Sequence, residues 1–139
     1  MKPSPQGIDV LVNDHEALKK VALDYLEGWF EGDAGRMERA LHPELAKRNL
    51  ERLSDGSQIL DTDTANQMIG WTREGLGKRR DVANRDIAVR VNHIYGDMAN
   101  VTVTSAVYTE YLQLVRVESG WKIVNVLWTW TSGNGGVKD

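Results

Sequence analysis

A chain of 139 residues with no cysteine and a net charge of −3, from 17 basic and 20 acidic residues, has the size of one domain that can bury a core without cross-links. The missing cysteine excludes disulfides, thiolate nucleophiles, cysteine-held zinc and iron–sulfur clusters. Without a broad basic field, nucleic acid and anionic membrane surfaces are not expected partners. No apolar run approaches the length of a membrane span or a signal-peptide core, so a single cytoplasmic domain over 1–139 is expected, with 1–12 and the glycine-rich 132–139 flexible or extended.

Asn13, with Glu16 three residues on, has the pattern of a capping box, and the first helix is predicted to start there. Leu18, Val21, Ala22, Tyr25, Leu26, Trp29 and Phe30 then recur at steps of three and four, a wide apolar stripe that must be buried. Gly32 ends this helix, and Asp33 can cap a second that carries Met37, Ala40 and Leu41 up to His42-Pro43. A third short helical piece is predicted from Glu44 to about Leu53. Ser54-Asp55-Gly56-Ser57 reads as a turn, and Ile59 and Leu60 as a short strand. Another helix is predicted from about Thr64 to Leu76, with Met68, Ile69 and Leu76 inward and Gly75 and Gly77 at its end. Lys78 to Asp81 reads as an exposed basic loop.

From Arg85 onward β-branched residues alternate, as in Ile87, Val89 and Val91, then Val101 and Val103. Gly96-Asp97 and Glu118-Ser119-Gly120 suit hairpin turns, and a tight connection near Ser105 to Tyr108 divides Met98 to Val117 into two strands. In the last strand, Trp121 to about Thr131, strict alternation puts Trp121, Ile123 and Leu127 on one face and Val124, Val126, Trp128 and Trp130 on the other. Both faces then need cover, which helices supply on one side and a second copy of the chain is expected to supply on the other. The fold class is α+β, with N-terminal helices packed on a strongly curved mixed or antiparallel sheet.

Three segments carry a family resemblance. They are Ala22-Leu23-Asp24-Tyr25-Leu26-Glu27-Gly28-Trp29 with Gly32-Asp33; Leu41-His42-Pro43-Glu44-Leu45-Ala46-Lys47-Arg48; and Glu110-Tyr111-Leu112-Gln113-Leu114 leading to Gly120-Trp121-Lys122-Ile123-Val124-Asn125-Val126-Leu127-Trp128. Together with the order of helices before sheet, they resemble the lumazine-binding branch of the nuclear transport factor 2-like superfamily. The resemblance implies a cystatin-like cone with a cavity between helices and concave sheet, which superfamily members use for isomerisation, dehydration, cyclisation, epoxide hydrolysis or binding alone. Relatives often have aspartate where this chain has Glu110 and histidine where it has Gln113, and glutamine cannot exchange a proton at neutral pH.

Candidate site residues follow from both readings. Tyr25 and Trp29, four apart on the first helix, present one aromatic surface that is either core or a pocket wall. His42, before Pro43 at the helix break, is a candidate for proton transfer at the mouth of the cone. Glu110, the other candidate acid or base, and Gln113 fall on opposite faces of one strand; Tyr111 shares a face with Gln113, and the concave face is left open. Asn125 among apolar neighbours must find partners, Trp71 can pack or act as a lid, and Trp128 can line a pocket or anchor a dimer. His15, His42 and His93 form no short metal-binding motif, and neither metal nor other cofactor is expected. The expected function is binding of a small apolar or aromatic molecule by a homodimer. The alternatives are a cofactor-free isomerase, dehydratase or polyketide-cyclase-like enzyme, and a non-catalytic interaction module.

Overall fold

The three-and-four apolar spacing winds into α1 (Gly7–Glu31), whose Leu18, Ala22, Tyr25, Leu26 and Phe30 are buried. The computed structural model describes residues 7–131. The helix begins at Gly7, so Asn13 lies exposed within it and does not cap it. No proline interrupts residues 7–13, and asparagine is tolerated on the exposed side of a helix. Of the termini expected to be flexible or extended, residues 7–12 are helical, and 1–6 and 132–139 lie outside the described residues.

Gly32, at φ +70, turns the chain out of α1. The Asp33 side chain then accepts from the Arg36 backbone N–H and caps α2 (Ala34–Ala40). The two helices are tied by Arg36, whose guanidinium lies 2.9 Å from Asp24 and 2.7 Å from Glu27.

The helical piece predicted from Glu44 to Leu53 is instead part of strand β1 (Leu41–Arg52). The residues are good helix formers, but Leu45, Lys47 and Asn49 are buried and Arg48 and Leu50 exposed, a period of two. Hydrogen-bonded neighbours on both sides, antiparallel β2 (Gln58–Thr64) and parallel β6 (Gly120–Trp130), override propensity. Thr64 and Gln67 form a capping box for α3 (Ala65–Glu74), which Gly75 ends at φ +85. A 3-10 turn, Lys78–Arg80, replaces the expected basic loop, with its side chains exposed.

Strands β3 (Ala88–Tyr95), β4 (Met98–Thr104) and β5 (Tyr108–Val117) complete a six-stranded sheet in the order β2-β1-β6-β5-β4-β3. Only β1 and β6 run parallel, so the sheet is mixed. The turns fall at Gly96-Asp97 and Glu118-Ser119.

One irregularity decides which residues face the helices. Gln113 pairs with Asn125 but Leu114 pairs with Ile123, leaving Val124 as an extra residue. This bulge slips the alternation by one. Trp121, Ile123 and Val126 are therefore buried on one inner face, with Trp128 and Trp130 half-buried on the same side. Leu127 is exposed on the outside, away from Ile123. The two-sided apolar β6 expected from strict alternation is thereby corrected. None of the described helices is long and apolar enough to cross a membrane.

Candidate functional site

Between the helices and the inner face of the sheet lies a cavity of about 390 Å³, within the span of roughly 300–1,000 Å³ usual for small-molecule sites. Its two walls differ in chemistry. α1 supplies Tyr25 and Trp29, α3 supplies Met68 and Trp71, and β6 supplies Trp128 and Trp130. Opposite them, the stretch of the β1–β2 hairpin that lines the cavity is polar: Lys47, Asn49 and Glu51 alternate along β1, and Asp61 and Asp63 along β2. The ladder sets Lys47 across from Asp63 and Asn49 across from Asp61.

Tyr108 and Glu110 of β5 also line the cavity. Lys47 Nζ donates to the Tyr25 hydroxyl at 2.6 Å, and that hydroxyl donates to Glu110 Oε1 at 2.5 Å. Lys47 Nζ stands 3.6 Å from the same carboxylate oxygen. Glu110 is 2% exposed and Lys47 9%, so each supplies the countercharge that lets the other be buried. Burial, and then the Glu110 charge, push the Tyr25 phenol well above its ordinary value, which keeps it protonated and a donor. The ammonium of Lys47 lies 5.0, 5.9 and 5.3 Å from the ring centres of Tyr25, Trp29 and Trp128, close enough for cation–π attraction.

Further polar features mark the walls. Trp29 Nε1 donates to the Tyr108 hydroxyl at 2.9 Å, whereas Trp128 Nε1 is buried with no partner among the described residues. Asn49, 3% exposed, makes no side-chain hydrogen bond among them either. Asp63 is half-buried; burial and then the neighbouring Asp61 charge push its carboxyl above the ordinary range, against the pull of Lys47. Arg80 lies with its guanidinium 4.4 Å from the centre of the Trp130 ring.

Of the residues singled out in the sequence, the fold gathers Tyr25, Trp29, Trp71, Glu110 and Trp128 around this cavity. Tyr111, Gln113 and Asn125 are elsewhere. β5 turns Glu110 and Leu112 inward and leaves Tyr111 and Gln113 exposed. The bulge at Val124 turns Asn125 outward too, where its amide donates to Gln113 Oε1 at 3.1 Å. These three line a depression on the outer face of the sheet. His42 is not among the cavity-lining residues: its Nδ1 accepts from the Glu44 backbone N–H at 3.0 Å, a local bond at the irregular start of β1. The polar wall was missed because Lys47, Asn49 and Glu51 share a face only in a strand, and their segment was read as helix. The i, i+2 repeat of Asp61 and Asp63 beside Ile59 and Leu60 was the available signal.

Helices closing a cavity on one face of a mixed six-stranded sheet give the α+β architecture of a cystatin-like fold. The family described as "Putative lumazine-binding" matches residues 13–129, and the chain belongs to it. Among solved structures, it resembles a nuclear transport factor 2-like protein of unknown function from Silicibacter pomeroyi, with TM-score 0.65 and 16% identity over 87% of this chain and 98% of that one. A similar protein from Shewanella baltica has TM-score 0.64 and 16% identity over 88% and 97%. One with a cystatin-like fold from Novosphingobium aromaticivorans has TM-score 0.61 and 13% identity over 96% and 94%. At such identities the likeness is one of fold. No curated protein matches the chain.

Proposed function

We propose that the protein binds a compact, flat, largely apolar molecule in the cavity between α1, α3 and the inner sheet. The observation that carries this reading is an aromatic wall, Trp29, Trp71, Trp128 and Trp130, around a space that also holds unpartnered polar groups. Aromatic faces favour stacking on a flat ring. An indole N–H without a partner is costly to bury, and a ligand acceptor beside Trp128 Nε1 relieves that cost. The buried Glu110, hydrogen-bonded to Tyr25 and close to Lys47, favours a second reading, cofactor-free acid–base catalysis on the bound molecule.

Calorimetric titration of naphthalene derivatives tests the first reading. Micromolar to millimolar binding is expected, weakened by on the order of tenfold in Trp29→Ala, a share of the roughly 1–3 kcal/mol that burying a large apolar side chain contributes. Undiminished binding in that variant removes the cavity from consideration. The catalytic reading requires that any turnover found be lost in Glu110→Gln and kept in His42→Ala.

A further inference from the structure

The division of the cavity into an aromatic wall and an acidic wall limits the charge of what it holds. Asp61, Asp63 and Glu110 line it against Lys47 and Arg80, so three carboxylates against two cations leave an excess of one negative charge at full ionisation. The cations are already engaged. Lys47 lies beside Glu110 and hydrogen-bonds to Tyr25, and Arg80 is stacked on Trp130. The excess therefore falls on the β1–β2 wall, where Asp61 and Asp63 alternate along one strand and both line the cavity.

A second observation makes this more than an acidic cluster. Asn49, across the ladder from Asp61, is 3% exposed, lines the cavity, and has a side-chain amide with no hydrogen bond among the described residues. Its carbonyl is a ready acceptor for an N–H group that the carboxylates attract. A metal ion is the poorer fit, because no three acidic or histidine side chains among the described residues converge as a metal site needs. Indole and phenol faces, by contrast, suit an organic cation, and Lys47 already lies over three such rings.

Resting on the binding reading above, we infer that the ligand is a flat aromatic amine in its protonated form, its ring among the tryptophans and its ammonium held by Asp61, Asp63 and the Asn49 carbonyl. The carboxyl of Asp63, raised by burial and then by the Asp61 charge against the pull of Lys47, agrees with this.

Three probes with one ring system and different charge test the inference: 2-naphthylmethylammonium, 2-naphthylmethanol and 2-naphthoate, titrated calorimetrically into the whole chain at pH 7. The ammonium probe is expected to bind at least about tenfold more tightly than the alcohol, with naphthoate weakest. In the double variant Asp61→Asn/Asp63→Asn, shown to be folded by its circular dichroism and melting, the ammonium probe falls to the level of the alcohol while the alcohol is unchanged. If the alcohol or naphthoate matches the amine in the wild type, or if the amine preference survives in the double variant, the charge assignment is overturned and the binding reading stands. If none of the three binds the wild type, both are overturned.

Discussion

Asp63 is ionised against the preference of its surroundings, because burial and the charge of Asp61 both raise its carboxyl above the ordinary value. A raised carboxyl means that the folded state holds the proton to higher pH than the unfolded chain does. The resulting penalty is absent below the ordinary carboxylate value near about 4, grows as pH rises through the raised value, and is complete at neutral pH. Asp63→Asn is thus expected to raise the melting temperature at pH 7, by the equivalent of less than about 1 kcal/mol for a half-buried group. The gain should disappear at about pH 3.5, where the wild-type side chain is itself neutral. Paired thermal melts at the two pH values check it, and an equal gain at both would mean that packing rather than charge is responsible. Asp24 has the opposite sign: despite burial, Arg36 and Lys20 hold its carboxyl down, so its contribution is present above the ordinary value and lost on acidification. It is unchanged by the Asp63 substitution and cancels from the comparison. A residue that costs stability at the wall of a cavity is the pattern expected of a group retained for what it binds.

Among the elements, α1, α3 and the three hairpin strands β3 to β5 were legible because each depends on local spacing: apolar steps of three and four, a glycine stop after α3, and short turns between alternating runs, whereas the Thr64–Gln67 capping box of α3 was not read. β1 was not, since its helix-forming composition yields to a ladder with β6, a partner some eighty residues away that no local window contains. The cavity was half legible for the same reason. Tyr25 and Trp29 come from a readable helix stripe, whereas Lys47, Asn49 and Glu51 line up only once β1 is a strand, and Asn125 faces outward only because Val124 bulges. Gly77 is another such case, read in the sequence simply as a helix terminator. A Cβ built on it would lie 2.2 Å from the Trp29 carbonyl oxygen and 2.7 Å from Trp29 Cδ1, so only glycine lets the segment after α3 approach the aromatic wall this closely. Gly77→Ala forces backbone or the indole to move and is expected to cost about 1–3 kcal/mol, read from urea unfolding, and to weaken the naphthyl probes together with stability. A variant as stable as the wild type would show that the segment shifts freely.

At the scale of the whole molecule the helices cover only one face of the sheet, and the other carries a band of apolar side chains. Leu50 and Leu60 are paired across β1 and β2, and Leu127 and Tyr111 across β6 and β5, with 55%, 58%, 53% and 61% of their surfaces exposed. These, rather than Val126 and Trp128, which face inward, are the residues that a partner would cover. We propose that the partner is a second copy of the chain. In a two-fold interface each surface meets itself, so a face rich in one charge would repel its mate. Here the depression beside the apolar band is lined by Asn92, Asn100, Gln113 and Asn125, with Arg48 as its one charged residue. Amides donate and accept equally and are therefore able to pair with their own kind. Docking by this face leaves each cavity untouched, because the cavity opens on the opposite side of the sheet. Sedimentation at micromolar concentration is expected to give a dimer, and Leu127→Glu combined with Leu50→Glu, which sets carboxylates into the band on both copies, a folded monomer. The monomeric variant should keep the naphthyl affinity of the wild type, since neither residue lines the cavity. A wild-type monomer, or a dimer indifferent to both substitutions, would place the contact elsewhere and leave the apolar band without a partner.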